Sequence, residues 1–291
     1  MSRLKSILAA FRPKTLTAAV IPCVAASLLA KSAGEFHGSL LLWALLSAIC
    51  IQIGTNLVND ALDFKKGADT KERIGPQRIT QSGVLSYRQV LMLGTLFFIL
   101  AIAFGIPLVL RGGWPLVIIG LSSVALGYGY TAGPFSLAYL GLGDLFVILF
   151  FGLIAVGGMF YLQTLTYTIE AFILGLQIGF LATILIAINN LRDREGDAKV
   201  GKKTMAVRTG VRFSKYEITF LIYAPFALNL YWMIEGHWPA GLLPWFVLPL
   251  ANKLAKNIWN TEPSAVYNSY LGQAAGLHMI FGIILGLGFL W

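Results

Sequence analysis

The sequence predicts an all-α polytopic membrane protein, with nine transmembrane helices in one bundle. Of its 291 residues, 57% are hydrophobic and only 12% are charged, a composition typical of helical membrane proteins. The apolar runs are continuous and close to the roughly 20 residues that a helix needs to cross a bilayer. Strands of a membrane barrel would instead alternate apolar and polar residues over about ten positions.

Nine apolar runs make up most of the chain, and we interpret residues 1–291 as a single membrane domain. The runs cover residues 15–31, 38–57, 89–110, 114–131, 141–163, 168–190, 216–234, 240–257 and 271–291. The first run follows a basic, proline-containing start and leads directly into the second crossing. We therefore expect no cleaved leader peptide.

The basic residues predict the orientation of these crossings. With nine crossings, every lysine and arginine except Lys31 and Arg111 falls on one side of the membrane. Positive charge beside crossing ends marks the cytoplasmic face, so we expect the N-terminus and both long polar loops in the cytoplasm of a bacterium and the C-terminus outside its inner membrane. The net charge of +9 then reflects topology and anionic lipid, and it does not predict nucleic-acid binding.

Two apolar runs end in carboxylates and amides that share a helix face. The second run leads into Asn56, Asp60 and Asp63, spaced i, i+4, i+7, and residues with that spacing lie on one side of a helix. Asp69 follows in the loop. We call Asn56, Asn59, Asp60 and Asp63 together the first acidic end.

The sixth run ends in the same way. Asn189, Asp193 and Asp197 step by four residues, and Asn190 is an alternative to Asn189 as the amide. We call these four residues the second acidic end. Both acidic ends belong to even-numbered crossings and precede a basic, glycine-containing loop, so we expect them at the same side and at similar depth in the membrane.

Clustered acids near a bilayer are costly and repel one another unless a cation lies between them. Carboxylate and amide oxygens suit Mg²⁺, which takes its remaining ligands from water and substrate phosphate. Facing acidic ends therefore predict a metal–diphosphate site, although a single acid or a single loop cation in such a place is commonly just a solvated interfacial residue. The nearby cations that could bind diphosphate are Lys65, Lys66, Arg73, Arg78, Lys202 and Lys203.

Four segments of the chain resemble the UbiA superfamily of intramembrane aromatic prenyltransferases. They are "NLVNDALDFKKGADT", "RIGPQRITQSG", "YGYTAGPFSLAYLGLGD" and "NNLRDREGDAKVGKKTMAVRTG", all between residues 12 and 210. The resemblance implies a bundle of nine transmembrane helices around a central cavity, capped by the two cytoplasmic loops and with a lateral opening for a prenyl tail. It also implies dependence on Mg²⁺ and transfer of a polyprenyl group from its diphosphate to an aromatic acceptor. It implies metal binding by Asn56, Asp60, Asp63, Asp69, Asn189, Asp193 and Asp197. Four of these, Asp60, Asp63, Asp193 and Asp197, would be catalytic.

The acceptor predicted by this resemblance is 1,4-dihydroxy-2-naphthoate, prenylated with loss of carbon dioxide and diphosphate to a demethylmenaquinone-type product. Relatives that act on 4-hydroxybenzoate tend to carry a lysine shortly after the tyrosine that ends the fourth helix. This chain has Tyr130 there, and no lysine or arginine lies between residues 114 and 191. We expect Tyr130 and Asp144 to contact the acceptor, with an interfacial acid as the alternative for Asp144 and a loop arginine holding the acceptor carboxylate.

Other functions also fit parts of the pattern. Another aromatic acceptor, homogentisate or 4-hydroxybenzoate, would use the same metal site. A secondary transporter would also have a repeat and intramembrane acids, but its binding site would lie near the bilayer midplane, whereas these acids lie at one edge. The sequence gives neither the prenyl chain length nor the oligomeric state.

Overall fold

The computed structural model describes residues 3–67, 74–76, 78–129, 131 and 137–291, and only the backbone of residues 137 and 138. Within those residues every regular element is a helix, which confirms the all-α prediction. Three predicted site residues, Asp69, Arg73 and Tyr130, lie outside the described residues.

Twelve α-helices follow one another along the described chain. They are α1 (Arg3–Ala10), α2 (Pro13–Ser32), α3 (Gly38–Lys65), α4 (Tyr87–Gly112), α5 (Trp114–Gly129), α6 (Leu137–Leu140), α7 (Gly143–Thr164), α8 (Ile169–Lys199), α9 (Met205–Ile234), α10 (Trp238–Leu242), α11 (Leu248–Asn260) and α12 (Tyr267–Gly288). A 3₁₀ turn, Leu243–Val247, joins α10 to α11. A π-helical stretch, Ile148–Ile154, lies inside α7.

Seven of these helices are long and apolar enough to cross a membrane: α2, α3, α4, α7, α8, α9 and α12. Each corresponds to one of the nine predicted runs. The run at 114–131 forms α5, whose 16 residues extend about 24 Å, less than the roughly 30 Å of a hydrocarbon core. The run at 240–257 is interrupted near Pro244 and Pro249, because proline cannot donate to the helical hydrogen-bond ladder.

Helix α8 is the centre of the bundle and α4 lies at its periphery. In the apolar part of α8, 72% of the residues are buried, against 22% in α4. Leu174, Ile178 and Ile188 are fully buried on α8, where they join a core that includes residues of α2, α9 and α12. By contrast, Met92 and Leu110 of α4 are largely exposed, as expected for side chains that face lipid.

Small residues let α3 and α4 approach each other closely, which is common between membrane helices. A Cβ atom on Gly94 would lie 2.9 Å from Cγ2 of Val58, and one on Gly54 would lie 3.1 Å from the carbonyl oxygen of Gly94. Neither position has room for a larger residue, so α4 supports the helix that carries the first acidic end.

Both acidic ends lie on helix, although their aspartates come after the apolar runs that predicted the crossings. Helix α3 continues to Lys65 and α8 continues to Lys199, and each acidic end therefore keeps helical spacing. Gly67 follows α3 with φ of 71°, and Gly201 follows α8 with φ of 74°. Glycine reaches this left-handed conformation without steric cost and commonly terminates helices.

Candidate active site

The two acidic ends line one polar cavity of about 230 Å³. The cavity lies between α2, α3, α7 and α8 and is completed by the residues just after α8. Its lining includes Asn56, Asn59 and Asp63 of the first acidic end, and Asn189, Asn190, Asp193 and Asp197 of the second. The structure therefore brings together most of the acids and amides that the sequence analysis singled out.

Asp63 is the carboxylate of the first acidic end that faces both the cavity and the cations. Its Oδ2 atom lies 2.9 Å from Nη2 of Arg78 and 3.3 Å from Nζ of Lys202. Its Oδ1 atom is buried and has no hydrogen-bond partner within the described ranges of the chain. Because a buried carboxylate oxygen normally has a partner, this oxygen is available to a ligand in the cavity.

Asp60 does not line this cavity. Its carboxylate accepts hydrogen bonds from the backbone N–H groups of Ile79 and Thr80, both at 3.2 Å, and from the Thr80 hydroxyl. Asp60 thus anchors the loop after α3, directly beside Arg78. The sequence analysis grouped Asp60 with Asn56 and Asp63 as a metal ligand, but the described structure directs its carboxylate to the loop.

Asn59 lines the cavity, and helical spacing alone did not select it. Its Oδ1 atom accepts a hydrogen bond of 3.0 Å from the Thr131 hydroxyl. Asn56, which the spacing did select, donates to the Phe11 carbonyl and to the Thr15 hydroxyl, both at 3.0 Å. Asn59 and Asp63 also have i, i+4 spacing, so the sequence contained a signal for this pair.

At the second acidic end, Arg192 binds Asp193 with two hydrogen bonds. Nε of Arg192 donates to Oδ1 at 2.8 Å and Nη2 donates to Oδ2 at 2.6 Å. The third nitrogen, Nη1, donates to Oδ1 of Asn268 on α12. Arg192 is buried and lines the cavity, and it was not among the predicted cations.

Lys202 connects the two acidic ends. Its Nζ atom lies 3.3 Å from Oδ2 of Asp63 and 3.9 Å from Oδ1 of Asp197. One ammonium between carboxylates of α3 and α8 offsets part of their mutual repulsion. A divalent cation placed between the same carboxylates would do so more strongly.

Of the predicted diphosphate-binding cations, Arg78 and Lys202 line the cavity. Lys65 and Lys203 are exposed, and Lys65 lies over the Tyr87 ring at 5.7 Å. Lys66 lies 4.3 Å from the centre of the Tyr139 ring. The pKa of Lys66 is lowered from its ordinary value, mainly by partial burial. The Lys202 ammonium adds to this shift and the Asp63 carboxylate opposes it.

Arg12 is a second cavity-lining cation that the sequence analysis did not include. It connects α1 to α2 in a left-handed conformation, with φ of 52°. Such a conformation is uncommon for residues other than glycine, and backbone strain of this kind is often found at functional sites. No motif signalled this residue, because its position depends on how α1 and α2 meet.

Asp144 is buried, with 6% of its surface exposed, and lines the same cavity at the start of α7. Neither of its carboxylate oxygens has a hydrogen-bond partner among the residues that the structure describes. The π-helical stretch of α7 begins four residues later, and such stretches occur frequently at functional sites.

Two apolar cavities continue from the polar one into the bundle. The first, of about 160 Å³, shares Gln52, Thr55, Val147 and Phe151 with the polar cavity. The second, of about 350 Å³, lies between α3, α4, α5 and α7 and shares Cys23, Ile51 and Phe150 with the first. The polar cavity is therefore adjacent to one apolar cavity, which is adjacent to the larger one.

The donors around the polar cavity suit Mg²⁺, since they are carboxylate and amide oxygens. In the described part of the chain, no three acidic, histidine or cysteine side chains converge as a self-sufficient metal site. Mg²⁺ commonly binds through one or two carboxylates together with substrate phosphate. The unpartnered Oδ1 of Asp63 fits this second arrangement.

The fold and the site together define a helical membrane protein with an acidic, cation-rich cavity next to an apolar one, a combination suited to an amphiphilic anion. The family model of the UbiA prenyltransferase family matches residues 19–281. The chain belongs to the UbiA prenyltransferase family, which confirms the resemblance found in the sequence, and it is an integral membrane protein.

Curated relatives cover nearly the whole chain. A 1,4-dihydroxy-2-naphthoate octaprenyltransferase from Escherichia coli is 34% identical over 99% of this chain and 96% of its own length. The protein of the same name from Haemophilus influenzae is 33% identical over 96% of this chain and 94% of its own length.

Solved structures share the fold at low sequence identity. A UbiA homolog from Aeropyrum pernix K1 superposes with a TM-score of 0.70 at 13% identity, covering 95% of this chain and 96% of that one. A UbiA homolog from Archaeoglobus fulgidus, solved with GPP and Mg²⁺, gives a TM-score of 0.67 at 17% identity, with coverage of 96% and 99%.

Proposed function

We propose that this protein transfers a polyprenyl group from an allylic polyprenyl diphosphate to 1,4-dihydroxy-2-naphthoate. Diphosphate and carbon dioxide leave, and the product is of the demethylmenaquinone type. Relatives with the corresponding name align with almost the entire chain at 31% to 34% identity. They support the naphthoate as acceptor over homogentisate or 4-hydroxybenzoate.

The observation that carries this proposal is the arrangement of one polar cavity and two apolar cavities in the bundle. The two acidic ends face one polar cavity. That cavity shares lining residues with one apolar cavity, which in turn shares lining residues with a second. A polyprenyl diphosphate has the matching shape, since it is a charged head joined to a long apolar tail. A transporter site near the bilayer midplane would not need acids grouped at one end of the bundle.

The residues that would hold Mg²⁺ are those whose oxygens line the polar cavity. We propose Asp63, Asp193 and Asp197 as carboxylate ligands, assisted by Asn56 or Asn59 and by Asn189. When bound, Mg²⁺ supplies positive charge that stabilises the departing diphosphate. Asp69 stays a predicted ligand outside the described residues, and we propose a different role, anchoring the loop, for Asp60.

Arg78 and Lys202 would bind the diphosphate oxygens that the metal does not reach. Both now contact Asp63, so we propose that each exchanges part of that contact for phosphate when substrate enters. An arginine can offer two parallel hydrogen bonds to phosphate. Lys65, Lys66, Lys203 and Arg73 stay predictions, since the first three do not line the cavity and Arg73 is not described.

The apolar cavities would hold the prenyl tail and exclude water from the allylic carbon. An allylic cation, or a transition state close to one, reacts readily with water. Closed soluble enzymes avoid such side reactions by expelling water from the site. Here the walls are residues such as Phe150 and Phe151, so the apolar lining itself would exclude water.

The acceptor ring would lie where the polar and apolar cavities meet. Asp144 lines the polar cavity three residues before Val147, which lines both cavities, and we propose that Asp144 contacts the acceptor. Tyr130 stays a predicted contact outside the described residues. Cavity-lining arginines, among them Arg12, are the groups available for the acceptor carboxylate.

We also propose nine crossings, with α5 and the broken unit Trp238–Asn260 added to the seven long helices. The N-terminus and both acidic ends would then face the cytoplasm, and the C-terminus the outside of a bacterial inner membrane. Topology reporters inserted beside Arg88 and Lys203 should both read cytoplasmic, and one fused after Trp291 should read external. An internal C-terminus would contradict the count of nine.

Purified protein in detergent or lipid vesicles provides the test of activity. Incubation with a polyprenyl diphosphate, 1,4-dihydroxy-2-naphthoate and Mg²⁺ should give a product whose mass reports prenylation and loss of carbon dioxide. Parallel reactions with homogentisate and 4-hydroxybenzoate should give little product. Product from either of these alone would overturn the acceptor, and solute flux without any turnover would favour a transporter.

A further inference from the structure

Asp144 differs from the other carboxylates of the polar cavity because, within the described part of the chain, no cation pairs with it. Asp63 contacts Arg78 and Lys202, and Asp193 contacts Arg192. Asp144 is 6% exposed, whereas the Asp193 side chain is 21% exposed. Among the described residues, the oxygens of Asp144 have no hydrogen-bond partner other than its own backbone N–H. A charged neighbour that interacts with it electrostatically, Glu217 of α9, is another acid.

An unpaired, buried carboxyl is unfavourable for folding. Groups kept in such surroundings are candidates for a role on a ligand. Asp144 lines the cavity that would receive that ligand. Its carboxyl group could therefore form hydrogen bonds to the ligand that the described residues do not supply.

The position of Asp144 places it near the reacting atoms. Val147, three residues further along α7, lines both the polar cavity and the adjoining apolar one, and residues three apart share a helix face. If the diphosphate occupies the polar cavity and the tail the apolar one, the allylic carbon between them lies beside this face of α7.

We propose that Asp144 is the proton acceptor, and then the proton donor, for a hydroxyl of the aromatic acceptor; this inference rests on the proposed function. As the ring carbon that bears the carboxylate forms its bond to the allylic carbon, the bond from that carbon to diphosphate breaks. The neighbouring ring hydroxyl gives its proton to Asp144 and becomes a carbonyl.

The intermediate is a β-keto carboxylate, which loses carbon dioxide and leaves its electron pair in the ring as an enolate. Asp144 then returns the proton to the enolate oxygen, which restores the hydroxyl of the aromatic product. No oxidant is consumed, and Asp144 ends in the state in which it began. A single carboxyl at this place therefore serves both halves of the reaction.

The test compares Asp144→Asn and Asp144→Glu with the wild-type protein in two measurements. The first is Mg²⁺-dependent binding of the prenyl diphosphate by calorimetry, and the second is turnover with 1,4-dihydroxy-2-naphthoate. We expect Asp144→Asn to bind prenyl diphosphate within about twofold of wild type but to lose about a hundredfold or more in turnover, as for loss of a general base. Asp144→Glu, which keeps a carboxyl, should recover part of the turnover.

A series of acceptors separates proton transfer from shaping of the cavity. An electron-withdrawing substituent on the naphthoate makes its hydroxyl more acidic, and the ratio of wild-type to Asp144→Asn turnover should then shrink. An unchanged ratio, near-wild-type turnover in Asp144→Asn, or an equal loss of diphosphate binding would each overturn the inference. If the wild-type protein forms no product from the naphthoate, the proposed function fails. If the wild-type protein forms product and Asp144→Asn turns over as fast, only the inference about Asp144 fails.

Discussion

The first and second acidic ends have the same residue types and similar spacing, but the structure uses them differently. At the end of α3, Asp60 binds the following loop and Asp63 contacts two cations from outside the helix. At the end of α8, Asp193 is held by its neighbour Arg192, and Asp197 has the more distant Lys202 at 3.9 Å. The first acidic end therefore holds the loop and two cations in place, whereas the carboxylates of the second are more exposed.

This difference shows that a carboxylate pattern does not by itself define a ligand set. Asp60 and Asp63 are three residues apart on α3 and are both buried, yet one bonds to the loop and the other faces the cavity. The comparison predicts that variants within one acidic end can separate stability from catalysis.

The largest effect is expected at the second acidic end. Asp197→Asn and Asp193→Asn should each lower turnover at least about a hundredfold, the scale for loss of a principal charge-stabilising group. The matched control is Glu195→Gln, because Glu195 lies between the two acids on α8 but is exposed. Steady-state kinetics with saturating naphthoate provide the measurement, and full activity in both Asp variants would remove the second acidic end from the site.

The next prediction separates Asp60 from Asp63. Asp60→Asn should destabilise the protein by about 1–3 kcal/mol, since an amide cannot accept all the hydrogen bonds that the loop donates. Asp63→Asn should change the unfolding temperature less but should lower turnover more. Thermal unfolding and kinetics on both variants check this order, and a reversed order would show that Asp60 is the ligand.

A smaller effect is expected for Arg78→Lys. The ammonium keeps the charge but loses the planar fork that can bind two phosphate oxygens. We expect this to cost about 1.4 kcal/mol of binding free energy, which is about tenfold in affinity. The Michaelis constant for prenyl diphosphate should therefore rise. Arg88→Lys is the control, because Arg88 is exposed at the start of α4. Equal Michaelis constants in both variants would exclude Arg78 from diphosphate binding.

Much of this arrangement follows from the sequence. Apolar length predicted the seven long helices, and four-residue spacing predicted that Asp193 and Asp197 share a face. Spacing could not distinguish Asp60 from Asp63, because the direction of each side chain depends on the loop at 78–80, which folds back through Asp60. Arg12 escaped prediction because its place depends on how α1 and α2 meet, and Arg192 because its contact with Asn268 joins α8 to the distant helix α12.

Binding of prenyl diphosphate tests most directly the central claim that the two acidic ends hold one metal–diphosphate complex. Calorimetry with Mg²⁺ should be performed on the wild type, on Asp63→Asn, on Asp197→Asn and on the double variant. Because residues that act as a unit are strongly non-additive, we predict that each single change abolishes most of the Mg²⁺-dependent affinity and that the double change adds little. Affinity that is independent of Mg²⁺, or losses that simply add, would contradict the account.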